Sequence, residues 1–504
     1  MIRRLLRRVT GVAWILALAA APSGGAPERS SAVLFVSADV RGYLGPCGCS
    51  ENMRGGLPRA GYQIKQARAE GAPVLYFDGG DSLFGSARLS AEAIPQESRK
   101  AKALAEGMKL MGLNARAVGE KDDARGPAFR KSFGLPELAR GEARAFEVQG
   151  HRVSVVAAET SAELIAASRR AREAGAQFVL ALFHGTFEEA QKASSDPALA
   201  ADLLVPSHAA QELAGEDNRL VRSRVPVAQI QSKGRSLLRV DLSFGKEPGR
   251  LELVATAADV EREVKALEER IALLDKQINA PGLSEEARAL RRQKLAELVE
   301  RREQLASTRP AGFEGRNAFS ARFVPLEASL PGDPSAQEIV TAYDREVGKL
   351  NLAWAKKHGR DCREPGRNEA AFVGNEACRA CHAQAFPVWE KSHHALGYDT
   401  LEQRGKQFDL ECVGCHVTGF QKPGGVCRLD KVRGREDVGC ESCHGPGSIH
   451  AGAPSAKNVL LGNAEQTCTG CHDRENSPHF AFREYLPQIL GPGHGAKNVK
   501  NQAP

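Results

Sequence analysis

The sequence contains no apolar run long enough to cross a bilayer: the stretch from Val12 to Ala21 falls well short of the roughly 20 residues a spanning helix needs. No cysteine follows that stretch closely, which argues against attachment through a lipid. Nor is there a run of Lys and Arg interleaved with aromatics, so the basic charge does not point to a nucleic-acid partner. Signs of disorder are lacking too, since apolar residues make up 42% and charged residues 26%, ordinary values for globular chains. At 504 residues the chain exceeds what one core normally holds, and two or three domains are expected.

What the amino terminus does have is Arg3, Arg4, Arg7 and Arg8, then the short apolar run, then small residues that offer an Ala-x-Ala site at Ala19 to Ala21. Residues 1–27 therefore read as an export signal, and the mature chain is expected in the periplasm or another extracytoplasmic space. Contact with a membrane is expected only through a partner or an uncleaved signal. Without those four arginines the formal charge of +7 falls to +3.

From Ser31 to about Thr256, β-type runs alternate with amphipathic helical runs, the pattern of a layered α/β domain. The runs are Ala32 to Ala38, Pro73 to Phe77, Arg152 to Ala158, Gln177 to Phe183, Leu203 to Val205 and Leu237 to Phe244. Asp39, Asp81 and His184 follow apolar stretches directly, at strand ends, where such folds build sites. Residues 257–310 change character. Val260, Val264, Leu267, Ile271, Leu274 and Ile278 keep a heptad spacing, Pro281-Gly282 breaks it, and Leu290, Leu295, Leu298 and Leu305 belong to a second helix. A helical hairpin with coiled-coil character is expected as an insertion, serving as a structural or docking arm. Asn317 to Leu326 reads as a strand returning to the first domain, which is thus assigned 31–256 and 315–330. Asp333 and Pro334 then start a helix that ends near His358, and Gly359 to Ala371 reads as a linker, so that 331–371 forms a helix and linker before a last domain, 372–504.

In that last domain Cys-x-x-Cys-His is spelled four times: Cys378, Cys381, His382; Cys412, Cys415, His416; Cys440, Cys443, His444; and Cys468, Cys471, His472. Two thiols three residues apart on one helical turn reach the two vinyl groups of a haem, and the following imidazole is carried beneath the iron. One such motif arises by chance in roughly one chain in a hundred of this composition, so four close together point to four covalently bound haem c groups. Zinc binding or disulfides would not need a histidine after every pair. About eight haem propionates against about four net ferric charges would bring the holoprotein to near neutrality. Ten of the 13 histidines lie at or beyond His358, which leaves His358, His393, His394, His450, His479 and His494 as sixth-ligand candidates.

The stretches Val373 to His382, Trp389 to His394 with Ala395, and Val438 to His450 resemble the tetrahaem cytochrome c-554 class of multihaem cytochromes, over about Phe372 to Gly495. The resemblance implies a mainly α haem domain with His394 and His450 as distal ligands, His494 as a third, and one haem open to a small molecule. His479 and His393 are weaker candidates.

In the first domain, Asp39-Val-Arg-Gly42, Gly79-Gly-Asp81, Gly119-Glu-Lys-Asp122, Phe183-His184-Gly185 and Pro206-Ser-His208 resemble the metallophosphatase fold of periplasmic 5′-nucleotidases. The resemblance implies an α/β sandwich whose strand ends hold two divalent metals that activate water. The pattern departs from the family at Arg41, Glu120, Lys121 and Ala210, where it has a metal-binding His, an Asn, the catalytic His and the last ligand. The first metal is therefore expected to be absent, with the Arg41 guanidinium in its place beside Asp39. A second position remains available to one divalent ion through Asp81, Glu120, His184 and His208. Cys47 and Cys49, directly after the Asp39 loop, are either redox thiols at the mouth of the cleft or structural partners of Cys362 or Cys427.

The leading expectation is an exported multihaem cytochrome that carries electrons to or from a redox protein partner, its N-terminal domain a phosphatase-like module without turnover. Two alternatives stand beside it. One is an active metal-dependent phosphoesterase fused to a cytochrome; the other is a reductase of a small nitrogen compound at a five-coordinate haem.

Overall fold

The computed structural model of the chain describes residues 31–46, 53–208, 218–255, 257–279, 285–307, 315–460, 465–473, 476–477 and 480–494. The expected export signal, Cys47, Cys49, Ala210, the Pro281-Gly282 break and His479 lie outside the described residues. Among the described residues no helix is long and apolar enough to cross a membrane.

Twelve strands are described, β1 Ala32–Ser37, β2 Val74–Asp78, β3 Leu113–Arg116, β4 Ala143–Val148, β5 His151–Ala158, β6 Phe178–Phe183, β7 Leu203–Pro206, β8 Arg219–Val221, β9 Val227–Gln229, β10 Ser236–Ser243, β11 Glu252–Leu253 and β12 Ala318–Pro325. Eight helices precede the haem motifs: α1 Leu57–Ala69, α2 Ile94–Leu110, α3 Pro127–Lys131, α4 Ser161–Glu173, α5 Phe187–Ser194, α6 Ala257–Ile278, α7 Glu285–Ala306 and α8 Pro334–His358. The strands form two six-stranded sheets, ordered β11-β12-β10-β1-β2-β3 and β4-β5-β6-β7-β9-β8. In the first, β1, β2 and β3 run parallel while β10 is antiparallel to both β1 and β12. In the second, β5, β6, β7 and β9 are parallel and the edge strands β4 and β8 are antiparallel.

The apolar runs seen in the sequence lack the polar alternation of a one-faced strand because both faces of each sheet are covered. In β1, Leu34 and Val36 face the second sheet and meet Val153, Val155, Leu180 and Leu182. Val33 and Phe35 point the other way, into a cluster with Ile64 of α1, Leu104 and Met108 of α2, and Val340 of α8. On the far side of the second sheet, Val156 and Val179 pack on Leu164 and Ala167 of α4 and Ala190 of α5. The result is four layers, helix, sheet, sheet, helix, with parallel crossovers that bring the carboxyl ends of β1, β2, β6 and β7 to one rim.

Helices α6 and α7 leave the first sheet after β11 and return through β12, and they pack against each other. Helix α8 opens with Asp333 as its cap, the carboxylate accepting from the Ala336 amide at 3.0 Å, and with Pro334 in its first turn. Although burial raises the Asp333 carboxyl, the Ala336 amide and the Lys65 ammonium outweigh it and hold the group below the usual carboxylate range. A carboxyl depressed in the fold stabilises it above the unfolded value of about 4, and that contribution is lost as pH falls through the folded value. Asp333→Ala should therefore cost about 1 kcal/mol at pH 7. Asp333→Asn should keep most of that stability but flatten the acid limb in urea unfolding below pH 4; an unchanged acid limb would remove the carboxylate from the account.

Beyond α8 the described residues carry short helices, among them those that bear the haem motifs, Glu376–Arg379, Leu410–His416, Cys440–His444 and Glu465–Thr469. The expected linker from Gly359 to Ala371 has no helix or strand, and it is tied down by a disulfide between Cys362 and Cys427. That pairing corrects one expectation: neither cysteine is left to bridge to Cys47 or Cys49.

Candidate functional site

The rim of the sandwich gathers the loops after β1, β2, β3, β6 and β7. The loop after β1 runs beside the loop after β2, joined by amides from Asp39 to the Gly80 carbonyl, Arg41 to Asp81 and Gly42 to Ser82. Asp39, Arg41 and Asp81 all have positive φ, between 50° and 53°, a conformation that costs a side-chain-bearing residue energy and so has to be held by its surroundings. Asp122 supplies much of that hold. Its fully buried carboxylate accepts four backbone amides, from Asp81 at 2.9 Å, Ser82 at 3.0 Å, Leu83 at 2.9 Å and Gly119 at 2.8 Å. At Gly119 an added Cβ would come within 2.1 Å of Asp81 Oδ1, so only glycine lets the two loops close on each other.

Beneath this loop Arg116 is wholly buried and faces Asp78 at 3.4 Å, Asp122 at 2.8 Å and Glu137 at 3.7 Å. Asp78 in turn accepts hydroxyls from Ser37 at 2.8 Å and Ser82 at 2.7 Å. Burial pushes the Asp78 carboxyl up, against the pull of Arg116.

Of the residues expected to hold a metal, Asp81, His184 and His208 come together, one donor atom of each lying within 4.8 Å of the others. The His184 and His208 rings are 5.1 Å apart, edge to face, and His184 Nδ1 is buried with no hydrogen-bond partner. Glu120 is exposed and outside this group, and Asp39 is engaged elsewhere. The Arg41 Nε donates to Asp39 Oδ1 at 2.9 Å.

Lys121 is the unexpected member. Its ammonium donates to Asp81 Oδ2 at 2.6 Å and stands 3.6 Å from Asp39 Oδ1, while its amide donates to Asp81 Oδ1 at 2.9 Å. His208 Nδ1 lies 3.0 Å from the same Asp81 Oδ2. Burial raises the Asp81 carboxyl, but His208 and Lys121 outweigh it and hold the group down at about 2. Asp39 is raised, burial exceeding the effect of Arg41 and Lys121. The oxygen a bridging metal would use is thus already occupied by an ammonium and an imidazole, and three donors remain where a four-ligand set was expected. The residues present do not fit a divalent metal.

The sandwich also seats one haem motif. Asp409 caps the helix Leu410–His416 and receives the Gln96 side chain of α2 at 2.7 Å, while Gln96 Oε1 accepts the Leu410 amide at 3.0 Å. Asn351 of α8 donates to Gln96 at 2.5 Å and to the Phe408 carbonyl at 2.7 Å. Lys100 of α2, only 3% exposed, pairs with Glu97 at 2.9 Å and with Glu411 at 2.5 Å, and Glu411 immediately precedes Cys412. Gly42 of the rim loop packs on the same lysine, since a Cβ there would sit 3.1 Å from Lys100 Cε. Nothing in the local sequence around Lys100 or Gln96 announces this seat.

The eight motif cysteines form no disulfide. Their thiols approach across motifs: Cys378 lies against Cys440, Cys415 against Cys471, and Cys443 is close enough to feel Cys468. In space the motifs therefore follow the order of His382, His444, His472 and His416. His416 Nδ1 meets the Gly397 carbonyl at 2.6 Å and His444 Nδ1 meets the Leu460 carbonyl at 2.9 Å. A carbonyl can only accept, so Nδ1 carries the proton and Nε2 keeps its lone pair for a metal. His472 Nδ1 meets the Ser477 hydroxyl at 3.0 Å, and His450 Nδ1 meets Asn458 Oδ1 at 3.0 Å.

Two imidazoles on opposite sides of one metal, each nitrogen about 2 Å away, have ring centres about 6 Å apart. His382 and His450 are 6.2 Å apart by ring centre, and His394 and His472 are 6.1 Å apart. His494 lies near His444 and His382, its Nδ1 buried and without a partner. Among the described residues no imidazole lies at such a distance from the His416 ring or from the His444 ring. His393 begins a single helical turn beside His394, and His358 packs on Trp354 at the end of α8. Thiol pairs, oriented imidazoles and spaced ring pairs together fit haem c.

Residues 377–445 match the model of the family described as cytochrome c554 and c-prime. The chain is 34% identical over 72 residues to cytochrome c-554 of Nitrosomonas europaea, an alignment that takes in 11% of this chain and 31% of that protein. The chain thus spans about a third of the length of that curated relative. Among solved structures, the sulfate thiohydrolase SoxB of Thermus thermophilus in complex with glycerol aligns at 14% identity and a TM-score of 0.42, covering 71% of this chain and 69% of that one. A 5′-nucleotidase precursor, also of Thermus thermophilus, aligns at 14% identity and 0.42, covering 78% and 71%. The NAD nucleotidase of Haemophilus influenzae aligns at 12% identity and 0.38, covering 64% and 68%.

Proposed function

We propose that the protein is an extracytoplasmic electron carrier with four haem c groups anchored at the four Cys-x-x-Cys-His motifs. Haem c, when bound, supplies one-electron redox chemistry at iron. The observation that carries the reading is the presence of two imidazole pairs at ligating separation, His382 with His450 and His472 with His394, each containing one motif histidine. His494 is assigned to His444 on different grounds, its nearness to that ring and a buried Nδ1 without a partner, and for His416 no neighbouring histidine is found among the described residues.

The order of the motifs in space sets the route. Electrons enter or leave at the His382 end, where Cys381 is exposed and a redox protein partner has access. The route passes His444 and His472 and ends at His416, on the seat formed by α2 and α8. The sandwich acts without phosphoester turnover, as a docking module or as the carrier of the Cys47 and Cys49 thiols.

A second reading has its own support: among the described residues His416 has no histidine at ligating separation, and a haem held there with a free sixth position would suit a reductase of a small nitrogen compound. Electron paramagnetic resonance of the oxidised protein separates the two. One high-spin haem among four, shifted by nitric oxide or hydroxylamine, is the expected spectrum and keeps the reductase reading; four low-spin signals end it. Purified exported protein with no covalently bound porphyrin ends both.

A further inference from the structure

We propose that Lys121 is a built-in cation that stands in the place of the divalent metal at the sandwich rim and keeps such ions out. The charges balance without any metal. Asp39 and Asp81 bring two negative charges, and Arg41 and Lys121 bring two positive ones, each in direct contact with a carboxylate. A divalent ion added to that set would meet two fixed cations at close range, with no net negative charge to repay the loss of its water.

The lysine is also placed so that it does not come and go. Its own amide donates to Asp81 Oδ1 while its ammonium reaches round to Oδ2, so one residue clasps both oxygens of a carboxylate that has no exposure at all. Its side chain is 11% exposed, and Asp122, one residue on, pins the same turn to the loop after β2 through its four amides. The position next to the exposed Glu120 has thus exchanged a removable ion for a tethered one. Around it the remnants of a coordination sphere persist: Asp81, His184 and His208 still converge, and His184 Nδ1 still lacks a partner.

Removing the ammonium should reopen the site, because the two buried carboxylates would then keep only Arg41 and the His208 imidazole, itself a ligand type, with the volume of a lysine side chain vacated between them. The test uses the full-length haem-loaded protein and Mn²⁺ as the probe, with bound manganese measured against haem iron after desalting. Wild type and Lys121→Arg should retain no stoichiometric manganese. Lys121→Ala should bind one ion, at least about 100-fold more tightly than wild type, and Asp81→Asn placed on top should abolish the gain. Lys121→Gln, which keeps a donor toward Asp81 without the charge, repeats the measurement should the alanine variant lose its haem or its cooperative melting. Stoichiometric manganese in the wild type that disappears in Asp81→Asn would overturn the proposal. So would a natively folded neutral variant that binds no more tightly than wild type.

Discussion

Cys468→Ser combined with Cys471→Ser should yield a protein with three covalent haems in place of the four expected, and with its electron route cut in the middle. The Cys471 thiol lies against Cys415 and is within electrostatic reach of Cys443, so this motif sits between the one at His444 and the one at His416. The loss therefore differs in kind from that in Cys378→Ser with Cys381→Ser, which removes an end of the row. Both double variants should lose the mass of one porphyrin. Only the first should strand the haem at His416, slowing its reduction by a donor at the far end while the haems at His382 and His444 still reduce normally. Stopped-flow absorbance with a protein or dye donor reads the difference. Equal slowing in the two variants would mean that the thiol contacts do not report the order of transfer.

The second large effect is expected in the sandwich. Arg116→Leu should cost about 3–5 kcal/mol, a sizeable share of the roughly 5–15 kcal/mol that holds a domain folded. Arg116, Asp78 and Asp122 all have side chains with no exposure, so removing the cation leaves two carboxylates buried without their counter-charge. The damage would not stay local, because Asp122 also holds the four amides that shape the turn carrying Asp81. Urea unfolding followed by far-ultraviolet circular dichroism should show a clearly lower midpoint or no folded baseline. Pairing the change with Asp78→Asn should recover part of the loss, as one of the stranded charges is then gone. A midpoint within about 1 kcal/mol of wild type would show that water reaches these carboxylates.

Local chemistry makes much of the fold legible. Continuous apolar runs place β1, β2, β5, β6, β7 and β10 within a residue or so of their ends, because strands buried on both faces need no polar alternation. The Asp333 and Pro334 pair announces the start of α8 through capping that involves only neighbouring residues. Strand β4 escapes such a reading because at the sheet edge it alternates half-buried and exposed positions, and Leu113–Arg116 escapes it because four residues ending in arginine look like a loop until Asp78 and Asp122 are seen around them. The candidate sites divide the same way. Haem attachment is written in adjacent residues and can be read directly. The occupation of the rim by Lys121, the Cys362 pairing with Cys427 and the seat at Lys100 are tertiary relations between residues far apart in sequence. No spacing rule reports them.

Helix α8 carries one buried stripe along its length, Ala336, Val340, Tyr343, Val347, Asn351 and Ala355. Its first four members belong to the core beneath the first sheet, and Ala355 belongs to the core that holds Val413 of the His416 motif helix. A single helix is therefore shared by both halves. The seat of the His416 motif is thus built on the same helix that packs beneath the first sheet, so a haem anchored there would be positioned by the core of the sandwich as well as by its own motif.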